Sequence, residues 1–158
     1  MDVVQTGSDI ADLITPRGVI AQLRAPTKRQ VLQELARRAA TVTNIPDKRI
    51  YDALAERERL GTTGIGTGIA VPHCRLPELT RLHGMFARLE RPVPFEAIDD
   101  QPVDLVFLLL APVDAGAEHL RALARVSRLL RDRAVCEKLR GANSADALYA
   151  LLTGGTAN

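Results

Sequence analysis

One apolar run restricts the folds that this chain can adopt. The segment VDLVFLLLAP, residues 103–112, contains a single charged residue, and such runs are typical of strands that are buried on both faces of a sheet. The run is also much shorter than the roughly 20 residues that a membrane-spanning helix needs. Predicted helices and strands alternate loosely along the chain, so helices on both faces of the sheet are the natural arrangement. The sequence therefore predicts an α/β fold, a mixed β-sheet covered by helices on both faces.

Helical and extended patterns in the rest of the chain fit that architecture. Thr27 followed by Gln30 matches a capping box and marks a helix start. Ser144 is suited to cap the last helix, and Gly61 is a natural stop for the second. Helices are predicted at residues 27–42, 47–60, 116–132, 133–143 and 144–154, and further strands at residues 18–25, 68–72 and 84–90.

Length and composition limit the domain count and the function classes. A chain of 158 residues fits a single domain. Its 21 basic and 19 acidic residues are interleaved, and aromatic residues make up 3% with no tryptophan. Because that composition offers no stacking platform for single strands, nucleic acid is not an expected partner. The N-terminal segment lacks the pattern of a signal peptide, and the expected location is the reducing cytoplasm.

A glycine-rich loop precedes the first histidine of the chain. The segment GTTGIGTGIAVPHCR, residues 61–75, has four glycines within its first eight residues, which allows backbone to approach another group closely. Two nucleotide-binding motifs are excluded. A P-loop needs a lysine where Thr67 stands, and the dinucleotide fingerprint needs a different glycine spacing between a strand and a helix.

Metal binding and cysteine nucleophile chemistry are also disfavoured. His73 and Cys74 are adjacent, so on a strand their side chains would point to opposite faces. The chain has no Cys-x-x-Cys or His-Glu-x-x-His pattern. We therefore expect no metal site and no cofactor, and we expect Cys74 to be a small buried or flanking residue.

Two histidines and one arginine suggest phosphoryl transfer. A neutral imidazole at His73 is a competent nucleophile near pH 7, and loop N–H groups with the hydroxyls of Thr62 and Thr63 could steady a phosphoryl group. His119 lies near the start of a predicted helix, where anions are favoured. Arg57 can offer a forked cation to phosphate oxygens. A satisfied surface or core histidine is the alternative for each imidazole, and His83 is assigned to that class.

The segment RERLGTTGIGTGIAVPHCR, residues 57–75, resembles the active-site signature of a known family. This is the family of enzyme IIA domains of the fructose–mannitol class of the bacterial phosphotransferase system. A second stretch, residues 94–130, resembles the other characteristic block of the same family. The resemblance extends over residues 9–152, which implies one such domain with mobile termini at residues 1–8 and 153–158.

The resemblance implies a role for each candidate residue. His73 corresponds to the histidine that is phosphorylated on Nε2, His119 to the histidine that assists transfer, and Arg57 to the arginine beside the phosphate. The remaining correspondences concern the loop that shapes the pocket, where the expected phosphate-binding residues are Thr62, Thr63, Gly64 and Gly66. Neither a metal nor a nucleotide is implied at this site.

The resemblance also implies partners. The expected phosphoryl donor is a histidine phosphocarrier protein. Residues 95–112 and 137–152 resemble the nitrogen-related branch, whose members act as regulators and bind partners according to their phosphorylation state. Potassium-transport or sensor-kinase components are then the expected targets, without stable membrane insertion. The alternative is a sugar-specific enzyme IIA subunit that passes the phosphoryl group to a transporter IIB domain.

Overall fold

The computed structural model describes residues 10–154, in which six strands and five helices are assigned. The expected mobile terminus at residues 1–8 lies outside the described residues, as do residues 155–158 of the second one. In chain order the elements are β1 (Ile14–Leu23), α1 (Lys28–Thr43), α2 (Asp47–Arg59), β2 (Gly64–Gly66), β3 (Ile69–Ala70), β4 (His73–Arg75), β5 (His83–Val93), β6 (Val103–Ala111), α3 (Ala117–Arg131), α4 (Arg133–Gly141) and α5 (Ala145–Leu152).

The strands form one mixed sheet in the order β1-β5-β6-β3-β2, with β4 also paired to β6. The pairs β1–β5, β3–β6 and β4–β6 are parallel, whereas β5–β6 and β2–β3 are antiparallel. The central strand is β6, the apolar run from which the fold was predicted. The mixed sheet is therefore confirmed.

Side chains of β6 alternate between two cores, one on each face of the sheet. Val106, Leu108 and Leu110 pack on the face covered by α1 and α2. Their neighbours face α3, α4 and α5 on the other side, and these are Leu105, Phe107 and Leu109. All six side chains are fully buried. This alternation is the expected geometry of a strand covered on both faces, so the predicted helical layers are confirmed as well.

Side-chain caps fix the starts of three helices. The Thr27 hydroxyl accepts from the N–H of Gln30 at 3.1 Å and donates to the Gln30 side-chain oxygen at 3.0 Å. Ser144 accepts from the N–H of Ala147 at 3.1 Å, and Asp132 caps α4 in the same way. Thr27 and Ser144 were predicted to start these helices, and both predictions are confirmed.

The short strands β3 and β4 lie on one line beside β6. A break at residues 71–72 separates them. Ile69 is opposite Leu105 and His73 is opposite Leu109, so the register with β6 is the same on both sides of this break. Pro72 lies within the break, and its carbonyl still accepts from the N–H of Leu109 at 3.0 Å. This alignment fixes His73 as the first residue after the break, beside the middle of the sheet.

None of the helices within residues 10–154 combines the length and the apolar character that crossing a bilayer requires.

Candidate functional site

The structure brings together the three residues that the sequence singled out most strongly. Arg57 comes from the last turn of α2, His73 opens β4, and His119 lies in the first turn of α3. Arg57 Nε lies 3.3 Å from His73 Nε2. The two imidazole rings meet edge to face, with centroids 5.6 Å apart and planes at 73°. Three separate elements thus converge on one imidazole.

The hydrogen bonds of His73 determine which of its nitrogens carries the proton. Nδ1 lies 2.8 Å from the carbonyl oxygen of Val71, and a carbonyl can only accept, so Nδ1 is the protonated nitrogen. Nε2 then has a lone pair, which accepts from the Arg57 guanidinium. The protein therefore holds His73 as the Nδ1–H tautomer, with Nε2 as its nucleophilic atom.

His73 is also held in its neutral form. Burial lowers the pKa of His73 below its usual value, and the positive charges of Arg57 and Arg75 lower it further, against the opposing effects of the Val71 hydrogen bond and of Glu58. A lowered pKa keeps the ring unprotonated near pH 7. Only the neutral ring has the lone pair that nucleophilic attack requires.

His119 has the opposite tautomer. Its Nδ1 accepts from Arg75 Nε at 3.0 Å, so the proton must lie on Nε2. The residue is only 4% exposed, and its buried Nε2 has no hydrogen-bond partner within residues 10–154. Burial, followed by His73 and Arg75, lowers the pKa of His119 to about 4. His119 therefore presents a neutral N–H donor that has no acceptor within residues 10–154.

Arg75 belongs to this site, although the sequence analysis did not predict it. It is the last residue of β4 and is exposed. Residues i and i+2 of a strand point to the same face, so the position of His73 already implied that Arg75 would share its face. That alternation was the signal that could have identified Arg75.

The hydroxyls of Thr62 and Thr63 and two loop amides are bonded to other groups of the protein. Thr62 Oγ1 donates to the carbonyl of Phe95 at 2.9 Å and accepts from the N–H of Gly64 at 3.0 Å. The N–H and the hydroxyl of Thr63 both donate to the carboxylate of Glu58. These groups hold the loop in its conformation. A phosphate-binding role for Thr62, Thr63 and Gly64 remains a prediction.

Two of the loop glycines are explained by close contacts with the rest of the protein. A Cβ at Gly64 would lie 2.9 Å from the backbone Cα of Ala97, and one at Gly68 would lie 2.6 Å from the Arg140 guanidinium. Gly68 also has a φ of +85°, which disfavours other residues. A side chain at Gly66 would meet Asp99 and Ile98. The phosphate-binding role expected for Gly66 likewise remains a prediction.

The buried thiol next to His73 is unsuited to nucleophilic chemistry. Cys74 lies in the core, and burial raises the pKa of its thiol to about 12, against the smaller opposing effect of Arg49. The thiolate is the reactive form of cysteine. The expectation that Cys74 is a small buried residue is confirmed.

Taken together, the site suits a doubly charged, tetrahedral anion. It offers one unprotonated imidazole nitrogen, one neutral N–H donor from a second imidazole, and the guanidinium of Arg57, with the positive charge of Arg75 bonded behind His119. Arginine is well matched to phosphate oxygens because its donors form a planar fork. The arrangement can therefore transfer a phosphoryl group and hold it by charge and by hydrogen bonds.

Comparisons with known proteins show the family to which the chain is similar. Residues 12–154 match the family described as "Phosphoenolpyruvate-dependent sugar phosphotransferase system, EIIA 2". A nitrogen regulatory protein of Bradyrhizobium diazoefficiens is 51% identical over 143 residues, which are 90% of this chain and 94% of the relative. A fructose-specific EIIA component of the phosphotransferase system from Haloferax volcanii is 35% identical over 148 residues, or 91% and 96% of the two chains. The crystal structure of the nitrogen regulatory protein IIA-Ntr from Neisseria meningitidis has a TM-score of 0.86 at 30% identity, and the match covers 91% of this chain and 99% of that one.

The lowered pKa of His119 predicts a specific acid instability. In the unfolded chain His119 takes up a proton near pH 6.5, whereas in the folded chain it does so only near pH 4. Between these values the unfolded state binds more protons, so the free energy of unfolding falls as the pH falls, by roughly 1 kcal/mol per pH unit from this residue. The free energy of unfolding, measured by urea unfolding at several pH values, should change less steeply with pH for His119→Gln than for the wild-type protein.

His83→Gln is the comparison variant: burial also lowers the pKa of His83, at the start of β5, but less than that of His119. This variant should keep most of the wild-type slope. If His119→Gln and the wild-type protein lose stability in parallel between pH 6.5 and 4, then His119 is not held neutral in the folded protein.

Proposed function

The chain belongs to the EIIA 2 family of the phosphoenolpyruvate-dependent sugar phosphotransferase system, and we propose that it is a cytoplasmic regulatory member that accepts a phosphoryl group on His73. The donor is a histidine phosphocarrier protein, and the phosphorylation state of His73 decides which partner proteins the chain controls. One observation carries the proposal: the bond from Nδ1 to Val71 leaves His73 Nε2 with the lone pair that attacks phosphorus.

The transfer step exchanges one phosphorus–nitrogen bond for another. The lone pair of His73 Nε2 forms a bond to phosphorus while the bond to the donor histidine breaks and returns its electron pair to the donor. The N–H proton of the ring stays on Nδ1, which continues to donate to the carbonyl oxygen of Val71. The transition state is loose and spreads negative charge over three oxygens, so positioned positive charge and N–H donors are what the step requires from the protein.

Arg57 changes its partner during this step. In the unphosphorylated protein its Nε donates to the His73 lone pair, while Nη1 donates to the carbonyl of Gly61 at 2.9 Å. When the lone pair bonds to phosphorus it can no longer accept, and the nearest acceptors are the new phosphoryl oxygens. Arg57 therefore donates to the nucleophilic nitrogen of His73 before transfer and to the phosphoryl oxygens afterwards.

His119 supplies the second donor to the phosphoryl group. Its Nε2–H is buried and unpartnered within the described part of the chain, a state that costs roughly 1–3 kcal/mol. A phosphoryl oxygen on the neighbouring ring would remove this penalty. Since His119 is neutral, its Nε2–H is a weak acid that donates a hydrogen bond to the phosphoryl oxygen without transferring its proton.

Exposed apolar side chains on segments next to the site suit protein docking. Leu60 is 80% exposed just before the glycine loop, and Leu120 is 65% exposed beside His119. Ile98, which is also exposed, lies near Gly66 at the other end of the loop. Exposed apolar residues grouped around a site are typical of protein–protein contacts. This supports a macromolecular donor such as the phosphocarrier protein.

The regulatory role is favoured over sugar transport by degree of similarity. The nitrogen regulatory protein of Bradyrhizobium diazoefficiens shares 51% identity with this chain, against 35% for the fructose-specific component of Haloferax volcanii. Under the regulatory role, potassium-transport or sensor-kinase components are the targets. A sugar-specific subunit that hands its phosphoryl group to a IIB domain remains the second candidate.

Labelling of His73 tests the phosphoryl-transfer proposal. With radiolabelled phosphoenolpyruvate and the reconstituted donor proteins, the wild-type chain should gain an acid-labile label, since phosphorus is bonded to nitrogen. His73→Ala should gain none because the nucleophile is absent, and His83→Ala should label like the wild type. Acid-stable label, or normal labelling of folded His73→Ala, would contradict the proposal.

A second experiment separates the regulatory role from sugar transport. The labelled chain is mixed with a purified fructose-type IIB domain, and the label on each protein is followed with time. A regulatory member should retain its label, and its binding to purified sensor-kinase or potassium-transport components should differ between the phosphorylated wild type and unphosphorylated His73→Ala. Rapid transfer to the IIB domain, with equal binding of both forms to those components, would favour the sugar-specific subunit.

A further inference from the structure

Arg75 occupies an unusual position in the site. It is exposed at the end of β4, two residues after His73, and its Nε donates to Nδ1 of the buried His119 at 3.0 Å. This contact joins the strand that carries the nucleophile to the helix that carries the second imidazole. Arg75, on the strand that carries His73, is thus positioned to act on His119 in α3.

We infer that Arg75 is a positioning residue that keeps the proton of His119 on Nε2, where it can be donated to the phosphoryl group. The inference rests on the proposed phosphoryl transfer for its functional consequence, although the tautomer itself is a property of the unphosphorylated protein. Arg75 acts on His119 and not on the reacting atoms.

A guanidinium can only donate hydrogen bonds, so Arg75 can stabilise only one tautomer of His119. Arginine is always protonated and has no acceptor atom, so any hydrogen bond from Arg75 requires a lone pair on His119 Nδ1. A ring that is bonded in this way has its proton on Nε2, and it cannot take up a second proton on Nδ1 without losing the bond and facing a like charge. A neutral donor such as a hydroxyl could reverse its direction, whereas arginine cannot.

Among the neighbours of His119, Arg75 is the one that determines which ring nitrogen carries the proton. The groups that act electrostatically on His119 are His73 and Arg75, and of these only Arg75 bonds to it. His73 contacts it by ring packing at 5.6 Å. Nε2, on the opposite edge of the ring, is buried and has no partner among residues 10–154. The bond to Arg75 is therefore the interaction that distinguishes the two nitrogens.

The first test uses the unphosphorylated protein and does not depend on the proposed function. The imidazole resonances of His119 are followed by NMR as the pH is lowered, in the wild type and in Arg75→Met. Removal of the charged donor frees Nδ1 and removes one of the causes that lower the pKa of His119, so this pKa should rise. Arg37→Met, which removes an arginine paired with Glu34 on α1, should leave the titration unchanged. An unchanged titration in folded Arg75→Met would overturn the inference.

The second test measures the consequence for phosphoryl transfer. Arg75→Met should lower kcat about tenfold or more, with little change in KM for the phosphorylated donor, and Arg75→Lys should recover part of the rate because it keeps the charge and a donor. In a His119→Ala background the Arg75→Met change should have no additional effect. If the rate losses of the two single variants multiply in the double variant, Arg75 acts independently of His119, and the positioning role is overturned. If no variant or wild-type protein is labelled, the proposed function fails while the titration still decides the role of Arg75.

Discussion

The hydrogen bond between His73 Nδ1 and the carbonyl of Val71 decides what this site can do. It is a local bond of 2.8 Å between residues two apart, with Pro72 between them restricting the backbone. It places the proton on one edge of the ring and the lone pair on the other. The lone pair on Nε2 then accepts from Arg57, and the His119 ring packs against the His73 ring with centroids 5.6 Å apart.

The two imidazoles share one environment but have complementary roles. Burial is the largest cause that lowers the pKa of each ring, and nearby arginines act in the same direction. Both rings are therefore neutral, yet His73 directs a lone pair toward Arg57 whereas the proton of His119 lies on an unpartnered nitrogen. The difference arises from the hydrogen-bond partners of the two Nδ1 atoms, a carbonyl acceptor for His73 and a guanidinium donor for His119.

The sequence predicted those parts of the structure that depend on patterns within one segment. The apolar run of β6 indicated a strand covered on both faces, and the cap residues Thr27 and Ser144 marked helix starts. The strands β2 and β4 were missed because β2 is the segment Gly-Ile-Gly and β4 begins directly after Pro72, so neither three-residue segment shows a strand pattern. The start of β1 was placed four residues late, because Pro16 and a register shift between Ile14 and Val19 interrupt the strand pattern.

The site was predictable to a similar extent. His73, His119 and Arg57 could be selected by residue type and context, and the structure brings them together. The hydrogen-bond partners of the glycine loop could not be predicted, since Phe95 is far away in sequence and Glu58 is bonded only because α2 ends beside the loop. Arg75 was accessible in principle from strand alternation, but β4 had first to be identified as a strand.

The most direct measurement is the position of phosphorus on the His73 ring after phosphorylation by the donor proteins. Phosphorus on Nε2 is three bonds from both ring C–H protons, whereas phosphorus on Nδ1 is three bonds from only one of them. A phosphorus–proton correlation spectrum should therefore show two comparable couplings to His73, with the Nδ1 proton still present. A single strong coupling, or phosphorus attached to another residue, would contradict the account.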